Sequence, residues 1–383
     1  MSLVRAEDLT LTFDGESVLV RAVTRGVGAK VPPVAVALLA FHATPRTRDE
    51  VLQAFGPRVA PLADGLADAG LLVPPEDAHS TPVFFGGFGR VDVHRRMIED
   101  TARVDAYAAA IAATVKPGMV VVDAGTGTGL LAVMAAKAGA TVYAIDNTDV
   151  LDIAQQVIQA SGVADRVTLI RGDFAQVELP EPADLVVTET FGALALAEGA
   201  ARDLAAGTTR WLKQDGLVLP GRIDLFFTPL VGDAVYNNAV GIFDTVHGVD
   251  LHPLRGVASL RGATLSVTED QVLPTSEPAM TLAFPGQEGG TGSVSVDVDG
   301  VIGGFAGWFD LHLAPGHVLS TSPMAPHTHW RQLVMPWAEL TTLRGRLEAS
   351  FEVLPDPQDR RGLEVRCTWR CGDDSGQTTH RVR

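Results

Sequence analysis

The sequence of 383 residues has few of the features that mark secreted, metal-binding or membrane-spanning chains. Its only two cysteines are Cys367 and Cys371, and no zinc-ligand spacing is present. On a predicted strand they share one face but lie roughly 13 Å apart, too far for a disulfide with each other. No apolar run reaches the roughly 18–20 residues that cross a bilayer. The N-terminal stretch lacks a signal-peptide pattern, so we expect a cytoplasmic protein without membrane contact.

Clusters of basic residues are also scarce. The formal net charge is −16, and only short stretches such as VHRRM are locally basic. Nucleic-acid-binding proteins usually carry a basic stripe, so no nucleic-acid partner is expected. An acidic chain suits a cationic substrate, although an excess of acid is as common in soluble proteins of other functions.

Changes of pattern along the chain predict three domains. Residues 1–80 contain a hairpin (LTLTF, SVLVRAV), three short helices and a closing strand, and end at a Pro-Pro linker. Residues 81–220 begin with a helical pattern over 84–115 and then alternate strands with helices, which predicts a doubly wound parallel sheet. Residues 221–383 predict an antiparallel β domain, interrupted by a helical and loop-like stretch at 232–254. The predicted fold class is α/β plus β.

A glycine loop follows the first strand of the α/β domain. In VVVDAGTGTGLLAV, Gly125 and Gly127 open a G-x-G-x-G run, which differs from the G-x-G-x-x-G dinucleotide fingerprint. Asp123 precedes the loop, and Asp146 ends the next strand, where an acid accepts hydrogen bonds from ribose hydroxyls. Asp173, in RGDF, either reaches an adenine amino group or is a solvated turn residue. The loop indicates an S-adenosylmethionine site or another Rossmann-type cofactor site.

Two glutamates enclose the apolar run TETFGALALAE. They are Glu189 and Glu198. Burying a carboxylate without a partner is costly, so this run predicts that the two acids bind a cation. The alternative is a pair of solvated hairpin acids.

Over residues 84–383 the sequence resembles the protein arginine N-methyltransferases. The matching segments come in the family's order: FFGGFGRVDVHRRMIEDTARVDAY as its N-terminal helix segment, VVDAGTGTGLL as its S-adenosylmethionine loop, TETFGALALAE as its double-E hairpin, and LSTSPMAPHTHW as its THW loop. The resemblance implies a Rossmann-like domain followed by a β-barrel-like domain, S-adenosylmethionine as cofactor, and a homodimer formed through an arm at about 233–255.

The resemblance also implies roles for individual residues. Glu189 and Glu198 would bind the acceptor guanidinium, because two carboxylates match its planar fork of N–H donors. Arg103 would pair with the carboxylate of S-adenosylmethionine, and His329 would help to remove a proton. No metal is implied. The remaining implied residues are, for cofactor binding, Asp123, Gly125, Gly127, Asp146 and Asp173, and, for the substrate pocket, Met97, Phe88, Phe191 and Trp330.

The segment that begins at Phe84 departs from the family pattern. It reads FFGGF, so the family's tyrosine hydroxyls are missing, and Gly86 stands where we expect the aspartate that partners the loop histidine. Nothing in this segment would then orient His329. The hairpin has Thr190 in place of tryptophan. The acceptor site is therefore rebuilt, and a peptide guanidine or a peptide amine fits the two retained glutamates.

Residues 1–80 lie outside this resemblance. Their order of elements resembles small winged-helix domains that hold leader peptides by strand addition in enzymes that modify ribosomally made peptides. A structural cap or a dimerisation element is the alternative. For the whole chain, peptide N-methylation in ribosomal peptide natural-product maturation is the favoured function. Methylation of free arginine or of a natural-product amine, and a catalytically silent S-adenosylmethionine-binding protein, are the alternatives.

Overall fold

A computed structural model describes residues 2–6, 9–14, 17–22, 27–75, 91–359 and 361–383. The chain forms two compact units, Met1–His94 with Thr148–Val150, and Arg95–Asn147 with Leu151–Arg383. The boundary expected at residue 80 lies outside the described residues, and the expected domain limits remain predictions. None of the described helices is long and apolar enough to cross a membrane.

The first unit contains two three-stranded antiparallel sheets and three helices. The expected hairpin and helices are confirmed, and a third strand, which the sequence did not predict, extends the hairpin. In the central strand, alternate residues Val18, Val20 and Ala22 are buried, as a half-buried strand requires. The elements are β1 (Ser2–Arg5), β2 (Leu9–Asp14), β3 (Ser17–Ala22), β4 (Val27–Val31), α1 (Val34–Phe41), β5 (Arg46–Thr47), α2 (Arg48–Phe55), α3 (Ala60–Asp68) and β6 (Leu72–Val73).

A parallel sheet flanked by helices follows. Its strands lie in the order β11-β10-β7-β8-β9, and every described pairing between them is parallel. The elements are α4 (Val91–Glu99), α5 (Thr101–Thr114), β7 (Val120–Ala124), α6 (Leu130–Lys137), β8 (Thr141–Asp146), α7 (Leu151–Ala160), β9 (Val167–Arg171), β10 (Ala183–Thr188), α8 (Ala200–Trp211) and β11 (Leu212–Leu219).

The strand order determines where a ligand binds. All five residues of β7 are buried, which explains its continuous apolar sequence. Strand β7 lies between β8 and β10, so the sheet grows in opposite directions from it. At such a switch point the loops after the two neighbouring strands open into one crevice at the carboxyl edge. The glycine loop follows β7 and the double-glutamate hairpin follows β10, so this crevice receives both motifs.

The rest of the chain forms an antiparallel sheet whose core is continuous with that of the parallel sheet. Its main path is β16-β12-β17-β19-β20-β21, with β15 beside β19 and β18 beside β17. The stretch after β12 is helical and loop-like, as predicted. Cys367 and Cys371 lie on β20 as free, buried thiols. The elements are β12 (Arg222–Val231), α9 (Ala234–Tyr236), β13 (Thr245–Val246), β14 (Val249–Asp250), α10 (Pro253–Ala258), β15 (Ala263–Leu265), β16 (Met280–Ala283), β17 (Gly290–Ala314), β18 (His317–Ser320), β19 (Gln332–Pro355), β20 (Leu363–Cys371) and β21 (Asp374–Val382).

The helical pattern expected over 84–115 is interrupted in the structure. Helix α4 ends at Glu99, and Asp100 caps α5 by accepting the N–H of Arg103 at 3.1 Å. One turn later, the fully buried Tyr107 donates its hydroxyl to the carbonyl of Thr188 at 2.8 Å. Helix α5 is therefore fastened to the last residue of β10, immediately before Glu189.

We expect Tyr107→Phe to lower the free energy of unfolding by about 1–3 kcal/mol, because the buried carbonyl of Thr188 loses its donor. Urea denaturation of the intact chain measures this loss. Tyr143→Phe is the matched control. Its hydroxyl lies 3.1 Å from the carboxylate of the exposed Glu181, where water can replace it. A Tyr107→Phe protein as stable as wild type would contradict the proposed fastening.

Candidate active site

The glycine loop approaches the hairpin closely. Gly125 and Gly127 have positive φ angles of 82° and 52°, a region that L side chains rarely adopt. A Cβ added at Gly125 would overlap the methyl group of Thr190 in the hairpin. Thr190 is also tied to the sheet, because its hydroxyl lies 3.1 Å from that of Thr188. The loop and the hairpin therefore line one crevice.

Asp123 lies fully buried below the glycine loop. Its Oδ2 accepts hydrogen bonds from the Thr126 hydroxyl at 2.7 Å and from the N–H of Ala132 at 2.9 Å. Its Oδ1 is buried and has no hydrogen-bond partner among the described residues. Burial raises the pKa of Asp123 to about 7. An orphaned buried oxygen beside a glycine loop fits a polar cofactor that supplies the missing donor.

The two other acids expected at the cofactor site differ in their surroundings. Asp146 ends β8, and its Oδ2 accepts the N–H of Gly127 at 3.0 Å, so it is held against the loop. Asp173 is exposed, and its Oδ1 accepts the N–H of Ala175 at 2.8 Å within a turn. The structure thus shows Asp173 as a turn residue. Contacts of Asp146 or Asp173 with a nucleoside remain predictions.

The double-glutamate hairpin has an irregular backbone. Leu194, Ala195 and Glu198 have positive φ angles of 53°, 57° and 83°. Such angles are uncommon outside glycine, and they cluster where a structure must aim a functional side chain. Gly192 makes room for this arrangement, because a Cβ there would lie 2.8 Å from Oε1 of Glu198. Gly192 was not predicted from the sequence as a site residue.

Both glutamates are largely shielded from solvent, and they lie close to each other. Glu189 is ion-paired with Arg103, and their side chains are only 10% and 6% exposed. Burial raises the pKa of Glu189, and the charge of Arg103 opposes the shift. Burial, followed by the negative charge of Glu189, raises the pKa of Glu198 to about 8, and Arg361 opposes it. Two buried carboxylates of this kind favour a further cation.

Arg103 contacts more than its predicted ligand. Its guanidinium donates to Glu189, and its Nε donates to the carbonyl of Met97 at 3.2 Å. Met97 therefore holds Arg103 through its backbone, while its side chain is half-buried. The pairing of Arg103 with a cofactor carboxylate, and a place for Met97 in the substrate pocket, remain predictions.

The structure corrects the expectation that nothing from the N-terminal helical segment orients His329. Oδ2 of Asp100 lies 2.8 Å from both the backbone nitrogen and Nδ1 of His329. Burial of Asp100 acts to raise its pKa, but hydrogen bonds from His329 and Arg103 lower it overall. An ionised carboxylate only accepts, so Nδ1 donates, and in the neutral imidazole Nε2 carries the free lone pair.

The remaining predicted residues frame the site. Trp330 is buried, and its Nε1 donates to the carbonyl of Phe191 at 2.6 Å, so it braces the hairpin. Phe191 packs on Phe284, with ring centroids 5.1 Å apart. Phe88, with the neighbouring Gly86, lies outside the described residues. Substrate contacts of Trp330, Phe191 and Phe88 remain predictions.

The sequence carries a signal for one further site residue, Asp100, which was not among the predicted ones. Asp100 precedes Arg103 by three residues, the spacing of an N-cap acid, and could have indicated a helix start at Thr101. Gly192 and Arg361 had no local signal, because their roles depend on contacts with Glu198 that only the tertiary fold creates.

Two family models match the chain. Residues 121–216 match a methyltransferase domain, and residues 224–374 match the arginine methyltransferase oligomerization subdomain. Among curated proteins, the chain is similar to Protein arginine N-methyltransferase 1.1 of Arabidopsis thaliana, with 25% identity over 309 residues that cover 77% of this chain and 79% of the relative. It is also similar to Protein arginine N-methyltransferase 6 of Danio rerio, with 28% identity over 316 residues that cover 76% of this chain and 90% of the relative.

Solved structures share the fold. The Trypanosoma brucei PRMT1 enzyme–prozyme heterotetrameric complex with AdoHcy matches with a TM-score of 0.73 and 22% identity, and the match covers 77% of this chain and 99% of that chain. Arabidopsis thaliana protein arginine methyltransferase 10, in an open conformation, matches with a TM-score of 0.67 and 23% identity. This match covers 78% of this chain and 100% of that chain.

We expect Gly192→Ala to reduce methyl transfer by about tenfold or more and to leave cofactor binding intact. The added Cβ would lie 2.8 Å from Oε1 of Glu198 and displace that carboxylate, and small misplacements of a reacting group are costly. Steady-state rates and calorimetric binding of S-adenosylhomocysteine measure the two effects. Gly65→Ala, where a Cβ meets nothing within 4 Å, is the control. Full activity of Gly192→Ala would refute the assigned position of Glu198.

Proposed function

We propose that this chain, an S-adenosylmethionine-dependent, arginine methyltransferase-like N-methyltransferase, transfers a methyl group to a guanidine nitrogen of arginine in a peptide or protein. The observation that carries the proposal is the buried pair Glu189 and Glu198 on one hairpin, at the crevice that also receives the glycine loop.

A guanidinium is suited to this pair. It stays protonated at working pH and carries only N–H donors in a planar fork, which two carboxylates can accept in charge-assisted hydrogen bonds. Its entry would also ionise Glu198, whose raised pKa of about 8 reflects burial next to a second negative charge. Held on one side, the fork presents its remaining nitrogen to the methyl donor, so positioning supplies much of the rate.

S-adenosylmethionine supplies an electrophilic methyl group on a sulfonium sulfur. Asp123, Gly125, Gly127 and Asp146 would hold it at the loop, together with Arg103. We propose the same for Asp173 at the adenine end. The orphaned Oδ1 of Asp123 fits a donor from this cofactor.

The transfer requires removal of one proton. A bond forms between the guanidine nitrogen and the methyl carbon as the sulfur–carbon bond breaks, and the methylated nitrogen then loses a proton. Nε2 of His329 is the accepting atom that we propose, because Asp100 fixes Nδ1 as the donor. Asp100 acts on the reaction through His329, as a positioning residue.

An amine acceptor is the second candidate at this site, since the pair of carboxylates would also hold an ammonium group. An amine must lose its proton before it attacks, whereas a guanidinium fits the fork while protonated. The planar match favours guanidine.

The N-terminal unit bears on the class of substrate. We propose that it recognises a peptide, for example the leader of a ribosomally made natural product, which would add a strand to the sheet formed by β2, β3 and β4. Strand β4 is at an edge of that sheet and has no strand on its outer side within the described part of the chain. A small-molecule acceptor would not need this unit.

The segment at 233–255 supports a homodimer. It and the residues directly after it expose a group of apolar side chains, which in a monomer would face water. They are Ile242, Val246, Val249, Leu254, Val257 and Leu260. We propose that this arm packs on a second copy of the chain.

Replacing either carboxylate tests the acceptor site. We expect Glu198→Gln to cost about 2–5 kcal/mol in kcat/KM for an arginine peptide, because one charged partner of the guanidinium is lost. Glu189→Gln should do the same and also leave Arg103 without its ion-pair partner, so Glu198→Gln is the cleaner variant. S-adenosylhomocysteine binding should survive in Glu198→Gln. Retained turnover in both variants would rule out the assigned roles.

Deleting residues 1–80 separates peptide from small-molecule substrates. We expect kcat/KM for a full-length peptide substrate to fall steeply, and turnover of free arginine to be unaffected. Circular dichroism and S-adenosylhomocysteine binding verify that the shortened chain is folded. Unchanged activity on every peptide would contradict the recognition role of the N-terminal unit.

Charged substitutions in the arm test the dimer. We expect Ile242→Asp with Val257→Asp to shift the sedimentation coefficient from that of a dimer to that of a monomer, because burying unpaired carboxylates is costly. The exposed Leu11 lies in the N-terminal unit, so Leu11→Asp serves as the control for added charge. A wild-type chain that sediments as a monomer would refute the proposal.

A further inference from the structure

Building on the proposed function, we propose that Arg361 is a positioning residue whose guanidinium acts as a resident counter-charge for Glu198, so that this carboxyl ionises more readily and stays in place for the acceptor. Arg361 lies in the loop between β19 and β20, far in sequence from the hairpin that it serves.

The hairpin and this loop are joined through the backbone. The N–H of Glu198 donates to the carbonyl of Arg361 at 2.7 Å. Because this bond uses the main chain of both residues, it fixes the second glutamate next to Arg361 whatever side chain residue 361 carries. Substituting Arg361 therefore changes the charge beside Glu198 and keeps the anchor.

The loop itself is held in shape. The N–H of Arg361 donates to Oδ1 of Asp359 at 3.1 Å, and Nε of Arg383 lies 3.3 Å from Oδ2 of the same carboxylate. The N–H of Gly362 donates to the carbonyl of Asp359 at 2.8 Å, and the N–H of Asp356 donates to the carbonyl of Gly362 at 2.9 Å. A loop fixed in this way presents Arg361 at a defined position.

Two charges act directly on Glu198. Glu189, across the hairpin, disfavours its ionised form, and Arg361 favours it. Helix α8 brings a further cation near the hairpin, Arg202, but this residue is ion-paired with Glu288 at 2.6 Å. Both line a shallow pocket beside the hairpin. Their charges largely cancel, so Arg361 is the cation that we assign to Glu198.

The other charged groups of the site face Glu189. Arg103 pairs with it, the negative charge of Asp100 disfavours its ionised form, and His329 favours that form when its ring is protonated. Each of the two buried glutamates thus has an arginine of the chain as its neighbour.

The protonation state of Glu198 decides whether it can bind a guanidinium. A protonated carboxyl presents an O–H donor, and a guanidinium has no acceptor to receive it. An ionised carboxylate presents acceptors only. Without Arg361, burial and Glu189 would hold Glu198 in its protonated form to a higher pH, and the acceptor would meet a mismatched group.

Infrared difference spectra of the full chain follow Glu198 directly. The signal of its protonated carboxyl is recorded from pH 6 to pH 10, with Glu198→Gln as the blank. The compared proteins are wild type, Arg361→Gln, Arg361→Lys and Arg366→Gln. Arg366→Gln is the matched control, because the exposed Arg366 pairs with Glu352 on β19 and with Glu364 on its own strand, β20. Methylation of an arginine peptide is measured over the same pH range.

We expect the carboxyl signal of Arg361→Gln to persist to a pH about one unit higher than in wild type. Its methylation rate near neutral pH should fall about tenfold and recover as the pH rises. Arg361→Lys should largely restore the pH at which the carboxyl signal disappears and the methylation rate near neutral pH. Arg366→Gln should match wild type in both measurements.

Unchanged titration of Glu198 in Arg361→Gln would overturn the proposal, and so would a loss of rate that is equal at every pH. If wild type failed to methylate the peptide, the proposed function would fall, whereas the infrared titration would still decide the role of Arg361.

Discussion

The burial of two carboxylates side by side is the constraint on which the rest of the site depends. Glu189 and Glu198 repel each other in a region with little water, and burial makes each ionisation harder. Both carboxyls of such a pair can be ionised only with cations near them. Arg103 supplies one, directly paired with Glu189, and we infer that Arg361 supplies the other. A guanidinium that binds both carboxylates is attracted by their negative charge. The same negative charge holds Arg103 in its ion pair with Glu189, so both interactions have one physical origin.

The architecture brings these groups together from distant parts of the chain. The parallel sheet places the glycine loop and the hairpin at one crevice, since they follow adjacent strands. The β domain then contributes His329 and Trp330 from one loop and Arg361 from another. Trp330 donates to the hairpin, and His329 is bound to Asp100 at the start of α5. Neither the α/β part nor the β part contains a complete site, which is consistent with their continuous core.

Local sequence patterns predicted the strands and helices of the α/β part, the glycine turn and the change to an antiparallel sheet, because periodicity and glycine positions act over a few residues. The hairpin was identifiable because two acids flank an apolar run. The partner of His329 was not, because the acid was expected at position 86, where the sequence has glycine. The acid is Asp100, at a break between two helices that the continuous helical pattern concealed. Arg361 was beyond sequence reasoning, because 163 positions separate it from Glu198 (361 − 198), and only the fold joins them.

The central claim is that the glutamate pair selects a guanidine nitrogen for methylation. The most direct measurement gives the wild-type chain S-adenosylmethionine with a deuterated methyl group, together with a mixture of arginine peptides, peptides with free amines and free arginine. Tandem mass spectrometry then locates the label. Our account predicts label on a guanidine nitrogen of a peptide. Label on an amine, with the arginine peptides unmodified, would contradict it.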